Sequence, residues 1–299
     1  MDEVYLRSDA LERKTFSEQT TINNYALWQK FFPANNPAPA NLICLEQETL
    51  VMQLILNYHL DQDTTIYHIL FDATYDPLMI KYFENVMGAF SIEQHWGSYL
   101  FWGMPKDKKY RVQLWKKGNW LVADDESYKV EFTPTALRAA LEAREIFPTT
   151  LLDFIVLSFY YGLKCVGGFN QINYLTQMKN NYIKMQVDRG NYKSIEVCAR
   201  AQTKEMNDGF TFAFLRAQQQ TYAATGLDFT LYNQSDTWQR LVQTIKQITV
   251  EEAFYPLLPE LYRVIYGEKD RLPELNAITD ADLMEISGVS KKIIPCVTL

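Results

Sequence analysis

The amino-acid sequence predicts a mixed fold of helices and strands, α+β or α/β in class, with a sheet-containing N-terminal half packed against a helical C-terminal half. Two patterns indicate this. Residues 65–132 carry short aromatic and β-branched runs between turn residues, a pattern typical of strands. After residue 133, apolar residues recur at helical spacing over longer stretches. The length of 299 residues suits one large domain or two closely packed ones.

Residues 1–40 are predicted to form a polar lead-in, a helix and a connector. Apolar side chains recur at helical spacing in residues 23–32. Residues 33–39 contain three prolines and two asparagines, which exclude a helix interior and a central strand. We therefore expect a stiff connector in front of the first lobe.

The first lobe, residues 41–133, is predicted to begin with a βαβ-like unit. Residues 42–45 suit a short strand, and residues 46–59 have the apolar spacing of a helix. Residues 65–71 are β-branched, aromatic and almost continuously apolar, which is typical of a strand that is covered on both faces.

A capped helix is predicted to follow that strand. Asp76 is a good N-cap and Pro77 suits the first helical position. We expect the helix to end before Gly88, and a second strand to occupy residues 90–94. Strand, loop, helix and strand together give the βαβ-like unit.

An antiparallel meander is predicted for the rest of the first lobe. Alternation of apolar and polar residues in 110–115 indicates a strand with one wet face. Gly118 suits a hairpin turn, because glycine adopts positive φ easily. The strands are expected at residues 99–102, 110–115, 120–123 and 128–132.

The second lobe, residues 134–299, is predicted to be mainly helical and to share one core with the first. Residues 210–222 suit either a helix or a strand. The expected helices lie at residues 133–145, 148–161, 171–185, 237–248 and 250–266.

The composition limits the classes of partner and compartment. A formal net charge of -7 disfavours a nucleic-acid partner, and the basic residues are scattered. Residues 286–292 resemble one DNA-binding hairpin, but only a single copy is present. No apolar stretch has the length of a membrane helix or a secretory signal. The four cysteines are far apart, so we expect reduced thiols and a cytoplasmic protein.

A glycine-rich loop at residues 162–171 is the main candidate site. Gly162 suits the end of one helix, and Gly167 and Gly168 precede the next, where free N–H groups attract anions. Cys165 near that helix end would be a candidate nucleophile. The alternative is a structural turn with a buried apolar cysteine. The residues predicted to bind a ligand are Lys164, Gly167, Gly168, Asn170 as helix cap, Gln171 and Tyr174.

Two further residues complete the predicted catalytic set. Asp72 follows the predicted strand at residues 65–71, where ligands bind in open α/β sheets. His95 lies in a loop and is the histidine best placed to act as a general base. Cys165, His95 and Asp72 are residue types that form a nucleophile, a base and its orienting group. The three histidines and four cysteines have no metal-ligand spacing, so no metal site is predicted.

These features predict an enzyme that acts on a small polar or anionic metabolite, with acyl or related group transfer as the reaction class. The alternative is a non-catalytic interaction or scaffold protein, because no standard catalytic motif is present and the aromatic meander offers a binding face. The expected partner is a small molecule, and a homo-oligomer is compatible with the sequence. No motif identifies a cofactor.

Overall fold

The computed structural model describes residues 5–31, 41–205 and 210–298. It confirms the mixed α+β class, with 51% helix and 13% strand. The described residues form two units: the first holds those up to Cys165 together with Asn173–Lys204, and the second holds Val166–Ile172 and those from Glu205 onwards. The predicted connector at residues 33–39 lies outside the described residues. Within the described chain, no helix combines the length and hydrophobicity that crossing a bilayer requires.

Helices α1 to α9 belong to the first unit, except for the start of α8. Segments of π-helix, Ile55–His59 and Ile155–Tyr160, continue α3 and α7. The helices are α1 (Ser8–Leu11), α2 (Phe16–Phe31), α3 (Gln47–Leu54), α4 (Thr65–Phe71), α5 (Asp76–Phe83), α6 (Pro134–Glu142), α7 (Thr150–Phe154), α8 (Phe169–Asp188) and α9 (Tyr192–Arg200).

Five of the first unit's strands form one antiparallel sheet in the order β6-β5-β4-β3-β7. The strands are β1 (Phe90–Ser91), β2 (Trp96–Gly97), β3 (Phe101–Gly103), β4 (Val112–Lys117), β5 (Trp120–Ala123), β6 (Lys129–Glu131) and β7 (Ile146–Pro148). The predicted meander is thus confirmed, and Gly118 forms the β4–β5 turn with φ of 60°. Strands β1 and β2 pair as a separate short hairpin.

The predicted βαβ-like unit is wrong. Residues 65–71 form helix α4 rather than a strand, because Thr64 caps its first turn by accepting a hydrogen bond from the Tyr67 amide (3.1 Å). Residues 42–45 form no strand. The predicted second strand shortens to β1, and α5 ends at Phe83, ahead of the turn at Gly88.

The remaining helix predictions of the first unit are confirmed. Residues 46–59, 133–145 and 148–161 are helical over most of their length. One hydrophobic core joins residues on both sides of the predicted lobe boundary, since Leu114 and Leu141 are both fully buried in it. Burial of this continuous core is the main source of stability of the first unit.

The second unit combines a small sheet with short helices. Residues 210–222 supply a hairpin rather than a helix, and residues 237–248 form the predicted helix. The strands are β8 (Phe214–Ala217), β9 (Gln220–Ala223) and β10 (Val297–Thr298), with β10 parallel to β8. The helices are α10 (Gly226–Tyr232), α11 (Thr237–Gln247), α12 (Leu258–Ile265), α13 (Pro273–Asn276) and α14 (Asp280–Ile286).

Candidate functional site

The first half of the glycine-rich loop makes backbone contacts typical of a helix end. Gly162 has φ of 75°, as predicted for a residue that terminates a helix. The Leu163 amide donates to the Leu157 carbonyl (2.8 Å), and the Tyr161 amide donates to the Val156 carbonyl (3.0 Å). These two amides therefore already donate to backbone carbonyls of the preceding helix.

The second half of the loop packs against a side chain of the helix that follows it. A Cβ atom on Gly167 would lie 1.9 Å from the Gln171 side-chain oxygen, so Gln171 fills the space beside this glycine. The Gln171 amide donates to the Gly168 carbonyl (2.9 Å). Helix α8 begins at Phe169, so Asn170 lies inside its first turn and is not the predicted cap. Anion binding at Gly167 and Gly168 stays a prediction.

Cys165 is half-buried and lies beside polar and aromatic groups. The Ser158 hydroxyl donates a hydrogen bond to its sulfur (3.1 Å). Burial, and then the proximity of the Cys165 thiol, raise the pKa of Tyr174 above its usual range. Lys164 also has an interaction partner within the chain. All four cysteines are unpaired.

The hypothetical triad is not joined by hydrogen bonds in the described residues. Asp72 accepts from the Thr74 amide and hydroxyl (2.9 and 2.6 Å) and pairs with Arg189 (2.9 Å). The Thr74 hydrogen bonds are the main cause that lowers the pKa of Asp72. Asp72 also follows a helix, not a strand. Neither Cys165 nor His95 is among its partners.

His95 is the one residue of the predicted triad that lines a described cavity. It lies in the β1–β2 turn with φ of 52°, and its carbonyl accepts from the Gln113 side chain (3.0 Å). Its ring is well exposed, and its Nδ1 atom is 3.8 Å from an Asp124 carboxylate oxygen. An imidazole that is exposed and held near a carboxylate has the surroundings of a general acid or base.

The cavity next to His95 has a volume of about 400 Å³. It lies among α5, the β1–β2 turn and strand β4. Its apolar wall is formed by Ile80, Ile92 and Trp115, and its polar groups by Asp76, His95, Tyr99, Lys116, Lys117, Gly118 and Asp124. A concave space with an apolar wall and a few convergent polar groups is the usual form of a small-molecule site.

A three-residue network occupies one side of this cavity. The Asp76 Oδ1 atom accepts from the Lys116 ammonium (2.5 Å) and from the Tyr99 hydroxyl (3.0 Å). The Lys116 ammonium also lies over the Phe132 ring, 4.6 Å from its centroid. Burial, and then the Asp76 charge, raise the pKa of Tyr99, so its hydroxyl stays protonated and donates.

Two residues that line the cavity, Trp115 and Lys117, have side-chain donors without an acceptor among the described residues. The Trp115 indole nitrogen is buried and makes no hydrogen bond. Lys117 is exposed at the rim, and no ion pair involving it is present in the part of the chain that the structure describes. Buried donors without a partner cost about 1–3 kcal/mol. The Trp115 nitrogen is enclosed, so Lys117 is the group that brings an accessible donor to the cavity rim.

Sequence reasoning identified His95 but not the rest of the cavity. Asp76 was predicted to cap α5, yet it is the first residue of that helix and its carboxylate reaches β4 instead. The sequence placed Lys116 and Lys117 in a basic run, for which a solvated hairpin surface was favoured over a binding patch. Lys116 and Lys117 line the cavity because the pairing of β4 with β5 brings the C-terminal end of β4 close to α5.

The site's chemistry is that of acids, bases and hydrogen-bond donors. Among residues 5–31, 41–205 and 210–298, no three His, Cys, Asp or Glu side chains are grouped as metal ligands. Comparison of the chain with protein-family models, with curated proteins and with solved structures gives no match. The geometry of the cavity is therefore the basis on which a function is inferred.

Proposed function

We propose that the chain is an enzyme that acts on a small anionic metabolite in the cavity beside His95. The observation that supports this proposal is that a His95–Asp124 pair and the Asp76–Lys116–Tyr99 network line the same space of about 400 Å³. The cavity suits a ligand of metabolite size, and its apolar wall accommodates a carbon skeleton.

Excess donors favour an anionic group on the ligand. Lys116 gives one N–H to Asp76 and keeps further donors, and Lys117 adds a second ammonium at the rim. Ionised donors and acceptors form the stronger hydrogen bonds, so a carboxylate or phosphate gains most here. Asp76 already accepts from two donors, which reduces its repulsion of such a group.

His95 is the proposed proton carrier. In this role the His95 imidazole takes a proton from a substrate hydroxyl or amine and returns it to the leaving group. This role suits transfer of an acyl or related group between two small molecules. The Asp124 carboxylate stabilises the imidazolium formed on the way, as orienting carboxylates do in other acid–base sites.

A screen of small carboxylic and phosphorylated metabolites by thermal shift, followed by activity assays on the hits, tests the proposal. We expect His95→Asn to retain binding and to lower turnover by about 10²–10⁴-fold. Lys117→Ala should weaken binding about tenfold, because it removes a charged contact. The matched controls are His68→Ala, at a half-exposed residue that contacts Asp63 (2.6 Å), and Lys129→Ala, at an exposed residue, because neither residue lines the cavity. The proposal fails if no acid shifts the melting temperature of the wild-type chain.

A second candidate is the interaction protein, and one observation in the second unit supports it. Helix α12 exposes Leu258, Val264 and Ile265, and Tyr266 and Leu272, which follow it in the chain, are exposed as well. Contiguous apolar residues on a surface are typical of protein–protein contacts. The state of association of the purified chain is the property that tests this candidate.

A further inference from the structure

Two cavities of about 500 and about 830 Å³ adjoin in the first unit, away from His95. They lie at the starts of α2, α3 and β4 and at the turn between α6 and β7. Both are lined by Glu46, Met104, Arg144 and Phe147, so they form one depression, here called the arginine groove. Its lining also includes Thr15, Glu18, Glu48, Tyr110, Arg111, and Arg13, whose Nε atom donates to the Asp9 carbonyl (3.1 Å).

Arg111 and Arg144 line this groove, and neither forms an ion pair with another of the described residues. Within the described residues, neither donates a side-chain hydrogen bond, and the Arg111 guanidinium only packs over the Trp102 ring at 5.0 Å. Each guanidinium carries five N–H donors. The groove therefore holds two guanidinium groups that have no hydrogen-bonded acceptor in the described residues, although the Arg144 charge acts on the Glu46 carboxylate and contributes to lowering its pKa.

Arg144 also adopts an unusual backbone conformation. It follows the C-terminus of α6 with φ of 55°, where glycine is the residue that fits without strain. Its amide donates to the Leu141 carbonyl (3.0 Å), which fixes the turn. The fold thus accepts a strained arginine at the position that brings a guanidinium to the groove.

Two of the carboxylates in the groove are, in contrast, already satisfied. The Glu46 carboxylate accepts from the Thr49 hydroxyl (2.6 Å), and hydrogen bonds from Ser17 and Thr49 lower its pKa. Glu18 accepts from the Thr15 amide (3.2 Å) and hydroxyl (3.0 Å). Glu46 and Glu18 accept hydrogen bonds, whereas Arg111 and Arg144 have no hydrogen-bonded acceptor in the described residues, so an occupant that brings oxygen acceptors is favoured over a cation beside these two arginines.

The walls between the charges indicate what the anion is attached to. Met104 and Phe147 are half-buried and line both cavities, and the exposed Tyr110 ring lies at the edge. These side chains favour an apolar or aromatic body. Glu48 also lines the groove, with no hydrogen bond in the described chain, so it repels an anion at one side.

We propose that the arginine groove binds an organic anion, with a carboxylate or phosphate between Arg111 and Arg144 and an apolar body on Met104 and Phe147. This site is separate from the cavity beside His95, and it does not rest on the enzymatic function proposed there. Bidentate recognition of planar or tetrahedral oxyanions is what paired guanidiniums do best.

Isothermal titration calorimetry of the full chain with phenyl phosphate, phenylacetate and inorganic phosphate tests the site. We expect the aromatic anions to bind more tightly than inorganic phosphate, because only they contact Met104 and Phe147. Arg144→Gln and Arg111→Gln should each weaken binding about tenfold or more. Glu48→Gln should tighten it several-fold, because a repulsive charge is removed. The relative affinities of phenyl phosphate and phenylacetate show which headgroup is preferred.

Two control variants distinguish the arginine groove from non-specific anion binding and from the cavity beside His95. Arg200→Gln removes an exposed arginine of the same unit that pairs with Glu196, and it should bind as wild type. His95→Asn should also bind as wild type, because it alters only the other cavity. Melting curves exclude unfolding of the variants. Absence of binding at millimolar concentration, or equal affinity of Arg144→Gln and Arg200→Gln, would overturn the proposal.

Discussion

At the residue scale, two buried titratable side chains give the first unit opposite responses to pH. Burial and the nearby Glu48 charge raise the pKa of Asp153 to about 8, and its Oδ1 atom has no hydrogen-bond partner in the described residues. Burial lowers the pKa of His59 to about 4, and its ring nitrogens contact Thr64 and Tyr161 (3.0 and 3.1 Å). Both side chains are therefore uncharged in the folded state near pH 6.

Asp153→Asn is expected to change how stability depends on pH. The folded chain holds the Asp153 proton up to about pH 8, whereas the unfolded chain releases it near pH 3.9. The contribution of Asp153 to the free energy of unfolding is fully present below about pH 4, and it is lost as the pH rises from about 4 to about 8. Asparagine cannot ionise, so the variant lacks this loss, which reaches up to about 1.4 kcal/mol per pH unit.

Urea denaturation at half-unit steps from pH 5 to pH 8 measures this effect. The free energy of unfolding of wild type should fall relative to that of Asp153→Asn across the series. His59 acts in the other direction: its contribution is lost as the pH falls from about 6.5 to about 4, and it is unchanged in the variant. Parallel profiles for the two proteins would contradict the prediction.

The sequence predicted the residue types of the site better than their contacts. His95 was predicted as a general base because it is the one of the three histidines that was expected in a loop, and the structure places it beside a cavity. Asp76 was predicted to be a helix N-cap only, because a carboxylate directly before a proline at the start of a helix is typical of that role. Its contacts with Tyr99 and Lys116 join residues 23 and 40 positions apart, which no local pattern reveals.

At the element scale, α4 shows where pattern reasoning failed. Its residues are β-branched and aromatic, which favours a strand by propensity. Yet the buried side chains Ile66, Ile69 and Leu70 have helical spacing, and Thr64 precedes them as a cap. Tertiary packing of that face overrode propensity. The meander was predictable because its alternation and turn residues are local, whereas the seven-residue segment was too short for its periodicity to decide.

The β1–β2 hairpin that carries His95 depends on Gly97. This residue has φ of 74°, and a Cβ atom there would lie 2.3 Å from the Ala89 carbonyl oxygen. Gly97→Ala is therefore expected to destabilise the first unit by about 2–5 kcal/mol, from backbone strain and overpacking together. It should also impair ligand binding beside His95, because the turn must move.

Gly190→Ala is the matched control for this substitution. Gly190 has φ of 67°, but a Cβ atom there meets nothing within 4 Å. Only the backbone strain of a positive φ applies at Gly190, so we expect Gly190→Ala to lower the free energy of unfolding by about 1–2 kcal/mol. Chemical denaturation of both variants gives the comparison. Equal losses for the two glycines would show that the close approach to Ala89 is not what Gly97 provides.

At the scale of the whole molecule, the buried apolar residues are divided unequally between the two units. The first unit's core extends from Val51 to Ala201, whereas the second unit has two small clusters around Phe214 and Leu215. The second unit nevertheless exposes the apolar residues of α12. Chain-wide composition could not predict this division, since 47% hydrophobic residues is an ordinary total.

Self-association through α12 is the expected consequence if the chain is an interaction protein. In a two-fold dimer the exposed apolar residues of α12 in one copy cover those of the other. Light scattering after size exclusion should then show a dimer that Val264→Glu and Ile265→Glu convert to monomer, since each buries a charge in an apolar contact. Ile286→Glu, also an exposed residue of the second unit, should leave the dimer intact. A wild-type monomer at about 100 μM, far above the Kd of a stable dimer, would remove self-association from the alternatives and leave the cavities as the functional surfaces.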